Sequence, residues 1–320
     1  MQNILKHYKD ILDDIGFKIE KSVIEEPEFG RLLVRGRYQG DPALIKIYNF
    51  NQAREKRLKK EKIVDEIINN YNKNNQQKIE KVDVLSLDSN GDFIWLIRKY
   101  YLGESLANPV GQLSDLNVLL NHDLVNEKFS KNFKEIIGQV ILNLKSLRKI
   151  NDSRLEDQNY FDSRFYKEID LEKCENNGNK LGLDIGQIIK NYDKLTFDYF
   201  DQRYSTASVN DLTPSNILVG DNLKIHLLDF ELFALDNYTI DFVFLWLFLW
   251  RYPEWQKCLI NDLIKSETDK EFFRVSLIRI VVSNLEWFLR LPGEENRQGH
   301  IWIKYLKAAG ESYDSILQTK

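Results

Sequence analysis

The sequence predicts an α+β chain of two lobes, a small β-rich N-terminal lobe and a larger helical C-terminal lobe. Three observations lead there. Over the first ~100 residues, short apolar runs alternate with Gly, Pro, Asn and Asp turns, broken by one long amphipathic stretch. After Tyr101-Leu102-Gly103 the apolar spacing turns helical. One β-hairpin, Ile217 to Leu228, then returns among the helices.

Each N-terminal element has its own signal. Phe17 to Ile24, Arg31 to Arg37 and Ala43 to Tyr48 read as strands, separated by turns at Glu25–Gly30 and at Gln39-Gly40-Asp41-Pro42. Gln52 to Tyr71 reads as a helix, with Leu58, Ile63, Ile67 and Ile68 on an apolar face. Val82 to Leu87 and Phe93 to Lys99 pair across Asp88-Ser89-Asn90-Gly91, where Asn-Gly favours a tight turn. Further on, Phe133 to Ile150 and Leu183 to Arg203 read as helices, and Asp241 opens an intensely apolar one. The expected division is 1–99, a connector at 100–103, and 104–320.

Bulk properties narrow the function classes. A chain of 320 residues with 43% hydrophobic and 29% charged residues is long and apolar enough for two cores. The net charge of −4 gives no electrostatic case for a nucleic-acid partner. The basic run from Arg54 to Lys62 is interrupted by Glu55 and Glu61 and reads as a solvated helix face. Cys174 and Cys258 make no disulfide framework. Met1 to Asp10 lacks a signal-peptide core, and the apolar run Phe242–Trp250 is too short to cross a bilayer. A cytoplasmic protein without membrane insertion is expected.

The chemistry concentrates in Asn210-Asp211-Leu212-Thr213-Pro214-Ser215-Asn216 and in Asp229-Phe230-Glu231. An Asp, an Asn five residues later and a second Asp after a further strand suit phosphoryl transfer. The first Asp (Asp211) would orient the acceptor hydroxyl or take its proton, and Asn216 and Asp229 would ligate the metal that bridges the nucleotide phosphates. Lys46 shares a strand face with Leu44 and Tyr48, from which a lysine can reach phosphates. Glu61, on the following helix, is the expected ion-pair partner of Lys46, with Glu55 and Glu66 as alternatives. Extended backbone at Arg98-Lys99-Tyr100-Tyr101 would offer N–H and C=O groups to the nucleotide base.

In these residues the chain resembles the aminoglycoside phosphotransferases and the choline/ethanolamine kinases, over residues ~30 to ~250. The resemblance implies a protein-kinase-like fold, ATP and Mg²⁺ as cofactors, and a hydroxyl of a small molecule as acceptor. It also implies that Asp241 buttresses the Asp211 loop. The sequence departs from the family at Val209, where a His is usual, and in Glu25 to Arg31, which holds one glycine. Only Phe230 to Ile240 separates Asp229 from Asp241, so no peptide-docking activation segment fits. ATP and GTP both remain open as the nucleotide. A nucleotide-binding regulatory module without turnover is the alternative.

Trp246, Trp250, Trp255, Trp287 and Trp302, with Glu254 and Glu286, admit two readings: helix packing, or an aromatic and carboxylate pocket for a cationic acceptor. Asp236 and Glu231 are further candidates to face the acceptor.

Overall fold

In the structure, a computed structural model, residues 8–9, 11–26, 31–112, 118–161, 169–182, 184–196, 204–285 and 296–319 are described. They form an N-terminal antiparallel sheet and a mostly helical C-terminal region.

The sheet has the order β1-β2-β3-β5-β4, from β1 (Phe17–Glu26), β2 (Arg31–Tyr38), β3 (Asp41–Asn49), β4 (Val84–Ser89) and β5 (Phe93–Lys99). Alternation sorts its side chains onto two faces. Ala43, Ile45 and Ile47 of β3 and Trp95 and Ile97 of β5 join Leu32 and Val34 in one core cluster. Tyr48, Ile94 and Leu96 point the other way and pack with Val84 and with Leu58 of helix α1 (Gln52–Asn74). Asn51 caps α1 by accepting the Arg54 N–H at 2.9 Å. Leu58, Glu61, Asp65 and Ile68 recur along α1 at the helical repeat, and all four are buried. The apolar stripe of α1 thus carries two acids inside it, and each needs a cation.

After strand β9 (Ser205–Ser208), the hairpin β10 (Ile217–Val219) and β11 (Ile225–Leu227) pairs with β6 (Glu104–Ser105). Leu227 N–H donates to Glu80 O at 3.0 Å, and Val82 N–H donates to Leu227 O at 3.2 Å. These bonds group the hairpin with the sheet. The first compact unit is Met1–Asn132 with Ser215–Glu231; the second is Phe133–Pro214 with Leu232–Lys320.

Two segments differ from the sequence expectation. Residues after Gly103 form β7 (Ala107–Gln112) and β8 (Val118–Val125), an antiparallel pair, where helix was expected. Pro109 and Gly111 disfavour helix there, and the register slips between Pro109 and Gly111. The helix expected from Leu183 to Arg203 is two short helices, Gly186–Lys190 and Tyr192–Thr196, broken at Asn191. Leu183 and residues 197–203 lie outside the described residues.

In the second unit, α2 (Phe133–Leu147) buries an apolar stripe that includes Ile136, Ile137, Val140 and Leu144. All nine residues of α3 (Ile240–Phe248) are buried. A helix apolar on every side belongs inside a core. Among the described residues no helix is long and apolar enough to cross a membrane.

Candidate active site

The first unit gathers acids and bases around the end of the hairpin. β3 and β5 run antiparallel with Leu44 opposite Arg98 and Lys46 opposite Leu96. Lys46 and Arg98 therefore both leave the sheet on the face that receives α1. The Asn216 backbone oxygen accepts the Leu228 N–H at 2.9 Å, which draws Asn216 beside the end of β11. Asp229 follows with φ 59°, a left-handed conformation that Asp tolerates better than most residues.

Glu61, Asp229 and Glu231 bring one carboxylate oxygen each to within 4.8 Å of one another. Hard oxygen donors so clustered fit Mg²⁺. Among the described residues two cations border them. Lys46 Nζ lies 3.8 Å from Glu231 Oε1. The guanidinium of Arg98 forms an ion pair with Glu61, and its Nη2 is 3.9 Å from Asp229 Oδ1. The expected Lys46–Glu61 pair is thereby corrected: Glu61 is held by Arg98, and Lys46 faces Glu231. The Glu61 side chain is 3% exposed and that of Glu231 is 21% exposed. The weakly hydrated guanidinium suits the more buried carboxylate, and the strongly hydrated ammonium the more open one.

Glu55 and Glu66 are the alternative partners. Glu55 pairs with Lys59 at 2.7 Å on the helix surface, and Glu66 is exposed.

At the connector, two backbone donors are already engaged: Lys99 N–H bonds to Asp83 O and Tyr100 N–H to Pro42 O, each at 2.9 Å. Gly103 approaches the hairpin so closely that a Cβ on it would lie 2.8 Å from Val219 O. Tyr101 is fixed by donating its hydroxyl to Asp83 Oδ2 at 2.7 Å and by lying against His226, with ring centroids 4.4 Å apart. Burial and the Asp83 carboxylate push the Tyr101 hydroxyl pKa up. Burial acts to raise Asp83, but the Tyr101 and Lys81 bonds outweigh it and hold the carboxyl below its ordinary value. Buried Lys81 pairs with Asp83 at 2.9 Å and also with Asp65 of α1. Asp65 in turn accepts the Val84 N–H at 2.9 Å. The second buried acid of α1 thus finds its cation in Lys81. This network links α1, β4 and the connector, and sequence reasoning missed it.

The second unit carries Asp211. Asp241, in the first turn of α3, accepts the Val209 N–H on Oδ2 and the Asn210 N–H on Oδ1, both at 2.9 Å. Its carboxylate clamps the two residues before Asp211, and Asn210 takes φ 62° there. Burial pushes the Asp241 carboxyl up to about 6, against the pull of the two amide bonds and Arg148. Val209, where the family usually has His, is fully buried. The Asp211 backbone oxygen accepts the Thr213 N–H at 2.9 Å, which tightens the turn toward Pro214.

For three of the five tryptophans the helix-packing reading holds. Trp246, Trp255 and Trp302 are buried core residues. Trp302 donates its indole N–H to Leu247 O at 3.2 Å, and Trp246 packs edge-on to Phe273 at 5.3 Å and Tyr305 at 4.6 Å. Trp250 is half-buried beneath Arg251, 4.1 Å from its ring centroid. Glu254 is exposed, Asp236 is fully buried, and Glu286 and Trp287 lie outside the described residues. Residues 27–30 of the expected nucleotide loop lie outside them as well.

Solved structures share this fold. A spectinomycin phosphotransferase, APH(9)-Ia, in complex with ADP and spectinomycin superposes with a TM-score of 0.56 at 12% identity, covering 98% of each chain. Choline kinase LicA from Streptococcus pneumoniae gives 0.52 at 12% identity, over 96% of this chain and 98% of that one. A GDP complex of an aminoglycoside 2′-phosphotransferase gives 0.57 at 13% identity, over 97% of each. No protein-family model matches the sequence, and no curated protein matches it. At these identities the likeness establishes the fold of the aminoglycoside phosphotransferases and choline kinases.

Proposed function

We propose, from the fold of small-molecule kinases and the charge cluster built on it, that this chain is a phosphotransferase. In this reading it moves the γ-phosphate of ATP to a hydroxyl of a small molecule. The observation that carries the proposal is the set of three carboxylate oxygens within 4.8 Å, bordered by Lys46 at 3.8 Å. Such a set suits a metal–polyphosphate complex, and Asp211 follows at its own loop.

Asp229 and Asn216 would hold Mg²⁺, which when bound neutralises charge on the phosphates. Lys46 would hold the α- and β-phosphates by charge. The backbone from Tyr101 to Gly103 would take the edge of the base. Asp211 would accept a hydrogen bond from the attacking hydroxyl and fix its approach. Phosphoryl transfer depends chiefly on positioning and charge stabilisation, the roles these residues would take. Residues 1–99, 100–103 and 104–320 would then serve as nucleotide lobe, hinge and acceptor lobe, and the cytoplasm is the compartment that fits ATP use. Structures of the same fold are recorded with ADP and spectinomycin, and as a choline kinase. Amino sugars and quaternary amines are therefore the first acceptor class to test. The GDP complex keeps GTP in the comparison.

Thermal unfolding with Mg-ATP, ATP plus chelator, and Mg-GTP tests the nucleotide site. A ligand at about 100 times its Kd stabilises by roughly 2.7 kcal/mol, a readily measured shift. No magnesium-dependent shift at millimolar nucleotide would refute the reading. Asp211→Asn should keep the nucleotide shift and lose turnover by about 10²–10⁴-fold, the usual worth of an acid–base group. Full activity in that variant would remove Asp211 from its role.

A further inference from the structure

The backbone of Arg98 lies beside the connector, and its side chain lies in the charge cluster. That side chain is 7% exposed. A guanidinium does not shed its charge on burial, so a buried one must be met by acceptors. Glu61 meets one edge. Among the described residues Arg98 Nε has no hydrogen-bond acceptor, and Asp229 Oδ1, 3.9 Å from Nη2, stands beyond hydrogen-bond reach. Buried donors without acceptors are rare and call for an explanation. A guanidinium that stands among carboxylates suited to a metal, with a donor left over, has a natural counterpart in a phosphate oxygen, which a guanidinium fork binds well.

We propose that Arg98 is a second phosphate-holding cation of this site, and that it, rather than Lys46, is the one Glu61 orients. The proposal rests on the phosphotransferase reading above. Three features of the cluster support it. Arg98 and Lys46 emerge from adjacent strands on one sheet face, so a polyphosphate beside Lys46 lies toward Arg98. The long Lys46–Glu231 contact, at 3.8 Å with Glu231 partly exposed, frees Lys46 easily for phosphate, whereas Glu61 keeps Arg98 fixed. Three carboxylates against two cations leave one net negative charge, which a divalent ion reverses. Without Arg98 the metal-loaded cluster would carry no net positive charge toward a polyphosphate.

The test is the affinity of the full chain for adenosine, AMP, ADP and ATP with Mg²⁺, by titration calorimetry. The forms compared are wild type, Arg98→Met, Arg98→Lys, Glu61→Gln, Lys46→Met and the doubles Arg98→Met/Glu61→Gln and Lys46→Met/Glu61→Gln. Arg98→Met should weaken ADP and ATP at least tenfold, AMP less, and leave adenosine unchanged. Arg98→Lys should recover part of the loss. Glu61→Gln should add nothing to Arg98→Met but should add fully to Lys46→Met. The first double also removes both buried charges together, so the loss of ADP affinity can be read even where Arg98→Met alone, with Glu61 stranded, does not fold. Three results overturn the proposal: wild-type ADP affinity in the Arg98 variants, an equal loss for adenosine and ADP, or coupling of Glu61 to Lys46 instead. If wild type binds neither ADP nor ATP, the phosphotransferase reading falls first. If wild type binds ADP and the Arg98 variants bind it equally, this proposal alone falls.

Discussion

Replacing Asp241 by Asn should change both the stability of the second unit and its dependence on pH. The carboxylate accepts the Val209 and Asn210 N–H groups at 2.9 Å each. An amide has one oxygen, so one of these N–H groups would face an NH₂ donor. Losing a hydrogen bond to a charged group costs about 1.5–3 kcal/mol. The charge carries its own cost, because burial raises the carboxyl from 3.8 to about 6. The folded state therefore holds a proton that the unfolded state releases. The stability this contributes is fully present below 3.8 and is lost as pH rises through about 6. Between pH 4.5 and 7.5 the change amounts to about 2 kcal/mol, at about 1.36 kcal/mol per pH unit of separation. Asparagine does not titrate, so wild type should exceed Asp241→Asn by about 2 kcal/mol more at pH 4.5 than at pH 7.5. Urea unfolding of both proteins across this range measures the gap. Trp246, Trp255 and Trp302 are buried in the second unit and report its unfolding by fluorescence. A gap that stays constant, or narrows on acidification, would refute the argument that Asp241 is the titrating group.

Two further outcomes follow from other contacts. Lys81→Met should cost about 3–5 kcal/mol, because it leaves the buried carboxylate of Asp65 without its cation; calorimetric melting measures this. A loss below about 1 kcal/mol, the worth of a surface pair, would show that the network is solvated. Gly103→Ala would place a Cβ 2.8 Å from Val219 O, so the connector must shift away from the hairpin. Adenosine and ATP should both bind more weakly in that variant, and unchanged affinity for both would remove the connector from base recognition.

The strands of the sheet were legible because turn chemistry punctuates them: Gly40 and Gly91 each sit at positive φ, where the sequence marks turns. The β10 strand falls on Ile217–Val219 as its apolar run indicates. The pair of strands after Gly103 was not legible, because a two-stranded element leaves little alternation to read beside helical-looking leucines. The partner of Glu61 was hidden for a different reason. Helical spacing shows that Glu61 lies inside the apolar stripe of α1, but a long cation on any neighbouring strand can reach it. A signal was present: Ile94, Leu96 and Arg98 alternate onto one face of β5, so Arg98 occupies a core-facing position. A charged residue there must be paired. The tryptophans fell to packing because helical repeats of aromatics usually mean core, and these bury with their ring edges and faces matched.

The first unit is not continuous in the chain: residues 133–214 are synthesised before Ser215–Glu231 can complete it. At about 5–20 residues per second, a nascent chain spends several seconds with its sheet made and its hairpin absent. During that interval Lys46 has no Glu231 and Arg98 no Asp229. Arg98 and Glu61 are both already made, and their pair neutralises the most buried acid of the cluster before its remaining members emerge from the ribosome.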